Sequence, residues 1–485
     1  MNPADLTTIT TTHGPVRGRR HDHGTVYLDI PYAAPPTGRE RFAKPRPHAG
    51  WTEVRDAARP GPTAPQPARD AFGTLDMSPY FGPGWQRGED YLTVNIWAPR
   101  PDGQGRRPVM VFVHGGGFVA GSNRAPLHDG TAFARDGVVL VTVNYRLGIP
   151  GFLHLPDAPD NRGMLDVLAA LRWIRDNIDR FGGDPANLTL FGQSAGAIIV
   201  GGILSDPAAP GLVRRAIIQS GTGTGALTPD QARIVTTRVG RELDIACTAK
   251  ALADVPDTLL VDLLPRLTGL DLHTPTHHHP LGGITPFSLV ARRQPADALA
   301  AMDTGIDLMI GSNLDEGSLY LAPLGILGAT TEADLRNTAA LFQSDPGPGP
   351  VDSVRAYRAR HPDAGPAELR TLILGDGLFT AGTRRMAAAH AAAASGRTYR
   401  YEFAWRSDAL SGQLGASHVM EMPFVFDRLT LASLHGPHAL LGTTPPPAEL
   451  ARKIHQTWIR FAETGTPGWP AHQEDDGHVE RLGTD

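Results

Sequence analysis

A chain of 485 residues with a single cysteine can form no intramolecular disulfide, and with 41% hydrophobic residues it has the composition of a globular enzyme or scaffold. Its 45 Lys and Arg against 50 Asp and Glu leave a formal charge of -5, which gives no footing for a nucleic-acid or anionic-membrane partner. No run of about 18 apolar residues occurs, so no spanning helix is expected. The start, Met1-Asn2-Pro3-Ala4-Asp5-Leu6, lacks the basic head and apolar stretch of a signal peptide, and a cytoplasmic protein is expected.

Taken in order, residues 7–20 and 25–30 mix β-branched residues with glycine and read as small N-terminal strands, the second ended by Pro31. Residues 57–68 carry Pro60, Pro62, Pro65 and Pro67, too many for a helix or inner strand, and predict an extended surface loop. The piece Tyr80-Phe81-Gly82-Pro83-Gly84-Trp85 continues it, either as the rim of a cleft or as packing beneath a loop. Leu92 to Trp97 alternates, whereas 109–113 and 138–143 are unbroken apolar runs that suit central strands covered on both faces. After Asn161, the residues Met164, Leu168, Leu171, Ile174 and Ile178 share one helical face, and Gly182-Gly183 stops that helix. Further strands are expected at 188–191, 215–219, 307–311 and 399–405, while 228–300 and 331–394 read as mainly helical excursions over one end of the sheet. Strands spread along the chain with helices between them predict an α/β protein: one large, mostly parallel mixed sheet flanked by helices, forming a single domain over 1–485.

One stretch organises the rest. Gly192-Gln193-Ser194-Ala195-Gly196 lies between a predicted strand and a small-residue helix, a strained turn that exposes a serine hydroxyl. A serine needs a base for its proton, an acid behind that base, and donors for the oxyanion. His114-Gly115-Gly116-Gly117-Phe118 follows a strand, and its glycines let backbone N–H groups approach a substrate oxygen together with that of Ala195. For the acid, Asp315 and Glu316 follow the strand at 307–311, and spacing does not choose between them. For the base, chain order leaves the histidines beyond residue 316. His418 lies on a loop after the aromatic strand; its rivals are His390 and His455 within helices, and His435 and His438 without an obvious preceding strand. Cys247 has no glycine turn or His partner beside it and reads as an inert, partly buried thiol. His277-His278-His279 reads as a solvated or cleft-edge loop, since three consecutive residues in regular structure cannot all face one ion.

These motifs resemble those of the type-B carboxylesterase family, which includes bacterial para-nitrobenzyl esterases and the cholinesterases and has the α/β-hydrolase fold. Similar segments include residues 29–36, Glu89-Asp90-Tyr91-Leu92, Asn144-Tyr145-Arg146-Leu147-Gly148, Phe181-Gly182-Gly183-Asp184-Pro185 and the region 458–470, so the resemblance covers nearly the whole chain. It implies Ser194 as nucleophile, Glu316 as acid and His418 as base, with Gly116, Gly117 and Ala195 as oxyanion donors. Ser220 resembles a serine that stands behind the triad, or is a simple turn residue. The departures are Gln193 where glutamate is common, Tyr91 where secreted relatives have cysteine, and Val419 where glycine commonly follows the histidine, which predicts a stiffer loop. Leu319 ahead of Tyr320 does not match the aromatics of cholinesterases, so a cation–π site for choline is not expected.

The expectation is a serine esterase that cleaves uncharged carboxylic esters of small to medium size through an acyl-enzyme, without metal or cofactor. The alternatives are a carbamate, amide or lactone hydrolase on the same machinery, and a non-catalytic recognition protein of cholinesterase-like fold.

Overall fold

The computed structural model describes residues 6–101, 103, 105–343, 349–393, 395–473 and 477–484. The N-terminal residues 1–5 read above, and residues 344–348 and 394 of the second helical excursion, lie outside the described residues.

A 12-stranded sheet runs through the molecule. Its order is Leu6–Thr10, Pro15–His21, Gly24–Pro31, Thr93–Pro99, Val139–Val143, Arg107–Val113, Gly183–Gln193, Arg215–Gln219, Asp307–Asn313, Thr398–Phe403 and Val479–Leu482, with Arg55–Asp56 pairing off the path. The first four path strands pair antiparallel, as does Thr93–Pro99 with Val139–Val143; every later pair is parallel. This is the α/β architecture expected.

The unbroken apolar runs sit at the centre because both faces of the sheet are covered. In Arg107–Val113, Val109, Val111 and Val113 enter one hydrophobic core, and Met110 and Phe112 enter the other. That split follows from the two-residue period of a strand. Helices Arg162–Asn177 and Ala195–Leu204 cover the first face. The second is covered by Ala448–Thr464, whose Ile454, Trp458 and Phe461 point inward.

Four elements depart from the sequence reading. Residues 7–20 form a hairpin rather than one strand, turned between the Thr11 N–H and the Gly14 carbonyl at 2.9 Å. Gly14 holds φ 147°, and a Cβ there would lie 2.2 Å from the Trp51 carbonyl. Thr93–Pro99 is buried nearly throughout, since Gly24–Pro31 and Val139–Val143 flank it and both its faces are packed. The edge strand Val479–Leu482 escapes a pattern search because Val-Glu-Arg-Leu offers two apolar residues. Within 228–300, helices form at Pro229–Leu243, Ala249–Leu252, Asp257–Leu267 and Pro295–Leu299, but 268–294 is irregular. Gly269, Pro275, Pro280, Gly282, Gly283 and Pro286 break helical structure there. The 331–394 excursion is mainly helical over its described residues. Among the described residues no helix is long and apolar enough to cross a membrane.

Candidate active site

Five parallel strands deliver the site at their C-terminal ends, the edge where α/β sheets place ligands. Val113 leads into the glycine run, Gln193 into Ser194, Gln219 into Ser220, Asn313 into Glu316, and Phe403 into the loop that carries His418. Ser194 joins its strand to helix Ala195–Leu204 with φ 56° and ψ -124°, a backbone state that non-glycine residues rarely adopt. Its N–H donates to the Gln219 carbonyl at 3.0 Å, tying the turn to the next strand. A Cβ on Gly192 would stand 2.7 Å from the Gly196 backbone, and one on Gly196 would stand 2.0 Å from the Val113 carbonyl oxygen. Both glycines are therefore required by close approach.

The glycine run faces the same cavity. Gly116 has φ 113°, and a Cβ there would meet the Ala120 carbonyl oxygen at 2.0 Å. The Thr285 hydroxyl donates to the Gly117 carbonyl at 2.7 Å and fixes the loop from outside. The N–H groups of Gly116, Gly117 and Ala195 donate to no protein acceptor among the described residues, so three donors remain free. His114 serves the scaffold. Burial pushes its imidazole down to about 4, Nδ1 lies 2.8 Å from the Gly115 carbonyl, and the ring stacks on Tyr145.

His418 meets Glu316, with Nδ1 2.6 Å from Oε2 and both side chains buried. The second oxygen of Glu316 accepts from the Ser220 hydroxyl at 2.5 Å and the Asn313 N–H at 2.8 Å. Ser220 is thus a direct partner of the carboxylate. Asp315, the neighbour that spacing left in contention, pairs with Arg406 at 3.0 Å and accepts the Ala416 N–H at 2.9 Å. The rival histidines are engaged elsewhere. His390 bonds Thr398 and the Ile306 carbonyl, His455 contacts the Val425 carbonyl and Asp136, His435 contacts the Leu429 carbonyl, and His438 is exposed.

Phe379 and Glu421, near the imidazole, had no signal in the sequence, and Gln193 stood out there only as a departure where glutamate is common. Phe379, in a π-helical turn Asp376–Thr380, stacks on His418 at 4.2 Å and 11°. Gln193 bridges two groups: its carbonyl accepts from the Tyr80 hydroxyl at 2.5 Å, and its amide nitrogen lies 3.3 Å from His418 Nε2. An amide donor there leaves Nε2 as acceptor and Nδ1 as the protonated nitrogen facing Glu316. Glu421, three residues past His418, is fully buried between the side-chain amides of Asn313 (2.6 Å) and Gln219 (3.2 Å), and burial pushes its carboxyl up to about 6. Val419 holds φ 72°, strained for a β-branched residue, on the loop expected to be stiff.

Ser194, His418, Gly116 and Gly117 line one cavity. Its wall is mainly apolar, with Phe72, Phe81, Ile284, Leu319 and Phe379 among its residues, and Arg69 also projects into it. The loop containing Tyr80 and Phe81 is therefore a cleft wall. Of the three consecutive histidines, His277 is exposed, but His279 is buried and its Nδ1 accepts the Leu281 N–H at 3.2 Å. Burial drives its imidazole down to about 4, so the solvated reading fails for that member. Among the described residues no three His, Cys, Asp or Glu converge as a metal site. Cys247 is half-buried, and burial raises its thiol to about 11, away from the thiolate that reacts.

A parallel sheet with a serine at a strained strand-to-helix turn and a buried His–Glu pair at the same edge defines an α/β-hydrolase. The carboxylesterase family model matches residues 5–479, and the chain belongs to that family. It is 35% identical to phenmedipham hydrolase of Pseudarthrobacter oxydans, covering 98% of this chain and 94% of that protein. It is 34% identical to para-nitrobenzyl esterase of Bacillus subtilis (strain 168), covering 96% and 93%. A solved structure of a PNB esterase superposes with a TM-score of 0.82 at 31% identity, covering 98% of this chain and 95% of the other. The protein is a carboxylic ester hydrolase.

Proposed function

We propose that Ser194, His418 and Glu316 act as nucleophile, base and acid in a two-step cleavage of small to medium carboxylic esters, within one hydrolase unit spanning 1–485. The observation that carries this reading is the 2.6 Å contact between the buried Glu316 and His418, whose ring lines the cavity together with Ser194. Glu316 keeps the imidazole proton on Nδ1, so Nε2, which faces the Gln193 amide at 3.3 Å, is the nitrogen that takes a proton. As the Ser194 hydroxyl attacks the ester carbonyl, its proton passes to Nε2 of His418. The imidazolium then protonates the leaving alcohol, and the neutral ring activates water to release the acid. Gly116, Gly117 and Ala195 hold the oxyanion through their free N–H groups, each worth about 3 kcal/mol in the transition state. A cytoplasmic setting accords with the lone thiol Cys247.

Ser194→Ala tests the reading. Its kcat on 4-nitrophenyl butyrate should fall about a thousandfold or more, and labelling by a serine-directed phosphonate should vanish. A variant that keeps the wild-type rate would end it. The same apparatus suits carbamates, amides and lactones, which rates on matched substrates would rank.

A further inference from the structure

Arg69 precedes the short helix Ser78–Phe81 and sends its guanidinium into the cavity shared by Ser194 and His418. One terminal nitrogen lies 3.6 Å from where a Cβ on Gly117 would stand, beside a proposed oxyanion donor. The guanidinium rests over Phe72 at 4.6 Å and Phe81 at 5.2 Å.

What it lacks is an acceptor. Among the described residues no carboxylate pairs with Arg69 and no oxygen accepts from it; the groups that act on it electrostatically are the Tyr320 and Tyr80 phenols. Burial pushes both phenols far above neutral pH, so neither carries charge. Two fully buried arginines, by contrast, are matched. Arg146 forms a two-pronged pair with Asp166, and Arg162 donates to four backbone carbonyls. An arginine stays protonated throughout the working pH range. Partial burial of its unmatched charge costs stability that packing alone does not return.

We propose that Arg69 receives a carboxylate carried on the acyl part of the substrate, so that the enzyme takes half-esters of short dicarboxylic acids as well as uncharged esters. With the ester oxygen on the Gly116 and Gly117 N–H groups, a carboxylate a short carbon chain from the carbonyl reaches the guanidinium and pairs with it in the planar two-bond geometry arginine favours. The acyl side is favoured because the leaving alcohol must face His418. The ring of that histidine stacks on Phe379, whereas a terminal nitrogen of Arg69 lies beside Gly117, one of the proposed oxyanion donors. Hydrolysis breaks the acyl–oxygen bond, releases the alcohol with a proton from His418, and frees the dicarboxylate once water attacks the acyl-Ser194. This inference rests on the serine-esterase reading.

The test compares kcat/KM for monoethyl succinate and monoethyl glutarate with the corresponding carboxamides, which keep the shape and lose the charge, by ethanol release. Wild type should favour the half-esters by about tenfold or more, the scale of hydrogen bonds to a charged group. Arg69→Gln should bring the ratio near one, and Arg69→Lys should keep part of it. A ratio taken within one protein cancels any loss common to both substrates. Equal or reversed preference in wild type overturns the proposal, as does a wild-type ratio in Arg69→Gln. O-acetylglycolate, whose carboxylate lies on the alcohol side, should not respond to residue 69; a response there with none for the half-esters overturns the acyl placement. Ser194→Ala should abolish turnover of every ester. If it does not, the nucleophile assignment falls, while a ratio that follows residue 69 still stands.

Discussion

The side of the cavity where Glu316 backs His418 and the wall built by the loop ahead of Phe81 handle buried polarity in opposite ways. On the first, both oxygens of Glu316 and both of Glu421 have hydrogen-bond partners, from Ser220, Asn313, Gln219 and the imidazole. On the second, the guanidinium of Arg69 rests on aromatic faces without an acceptor among the described residues. Matched groups cannot exchange partners without loss, so the first wall holds one geometry. Unmatched donors keep their valence for something that arrives, so the second reads a ligand.

The contrast can be broken most forcefully at the acid. Glu316→Gln should lower kcat about a thousandfold or more, by losing the carboxylate that sets the imidazole tautomer. Asp315→Asn, which disturbs the Arg406 pair and the Ala416 contact, should cost less than about tenfold. Steady-state kinetics on one aryl ester checks both, and the reverse ranking would exchange their roles. Ser220→Ala removes one of two donors to the outer oxygen of Glu316 and should lower kcat about tenfold with KM little changed. Gln193→Glu sets a carboxylate beside the imidazole, which favours the charged ring; the acid limb of kcat/KM should move to higher pH by about one unit.

The smallest expected effect concerns stability. Burial lowers His114, His279 and His390 to about 4 and His128 to about 3, from 6.5. For these groups the unfolded chain binds protons that the folded one refuses, so their contribution is complete above about pH 6.5 and is lost as pH falls toward 4. Asp29 and Glu421, raised to about 6, act with the opposite sign and oppose folding as pH rises through that value. The imidazoles outnumber the carboxyls, so Tm should decline between pH 6.5 and 4. His390→Gln should flatten that decline, and a Tm that rises on acidification would contradict the assignment.

Much of this was legible from the residues because the parallel strands are long apolar runs and the nucleophile turn needs glycine at two fixed positions. Gly192 and Gly196 are required by contacts of 2.7 and 2.0 Å, a constraint strong enough to leave a motif. Glu316 and His418 lie 102 residues apart, and only resemblance linked them before the coordinates did. Arg69, Phe379 and Glu421 were illegible for a different reason. Their positions depend on how irregular or helical excursions fold back over the sheet edge, and no local period encodes that path. Val479–Leu482 was missed because its strand character comes from pairing with Thr398–Phe403 rather than from its own sequence.

The chain between Pro31 and Thr93 hangs outside the main sheet apart from the two-residue strand Arg55–Asp56, and it contributes Arg69, Phe72, Met77, Tyr80 and Phe81 to the cavity as one continuous piece. Such a piece behaves as a cassette. Its two anchor strands pair directly with each other, so the segment is one insertion closed at its base, and it meets the bond-breaking apparatus through the Tyr80 hydroxyl on Gln193.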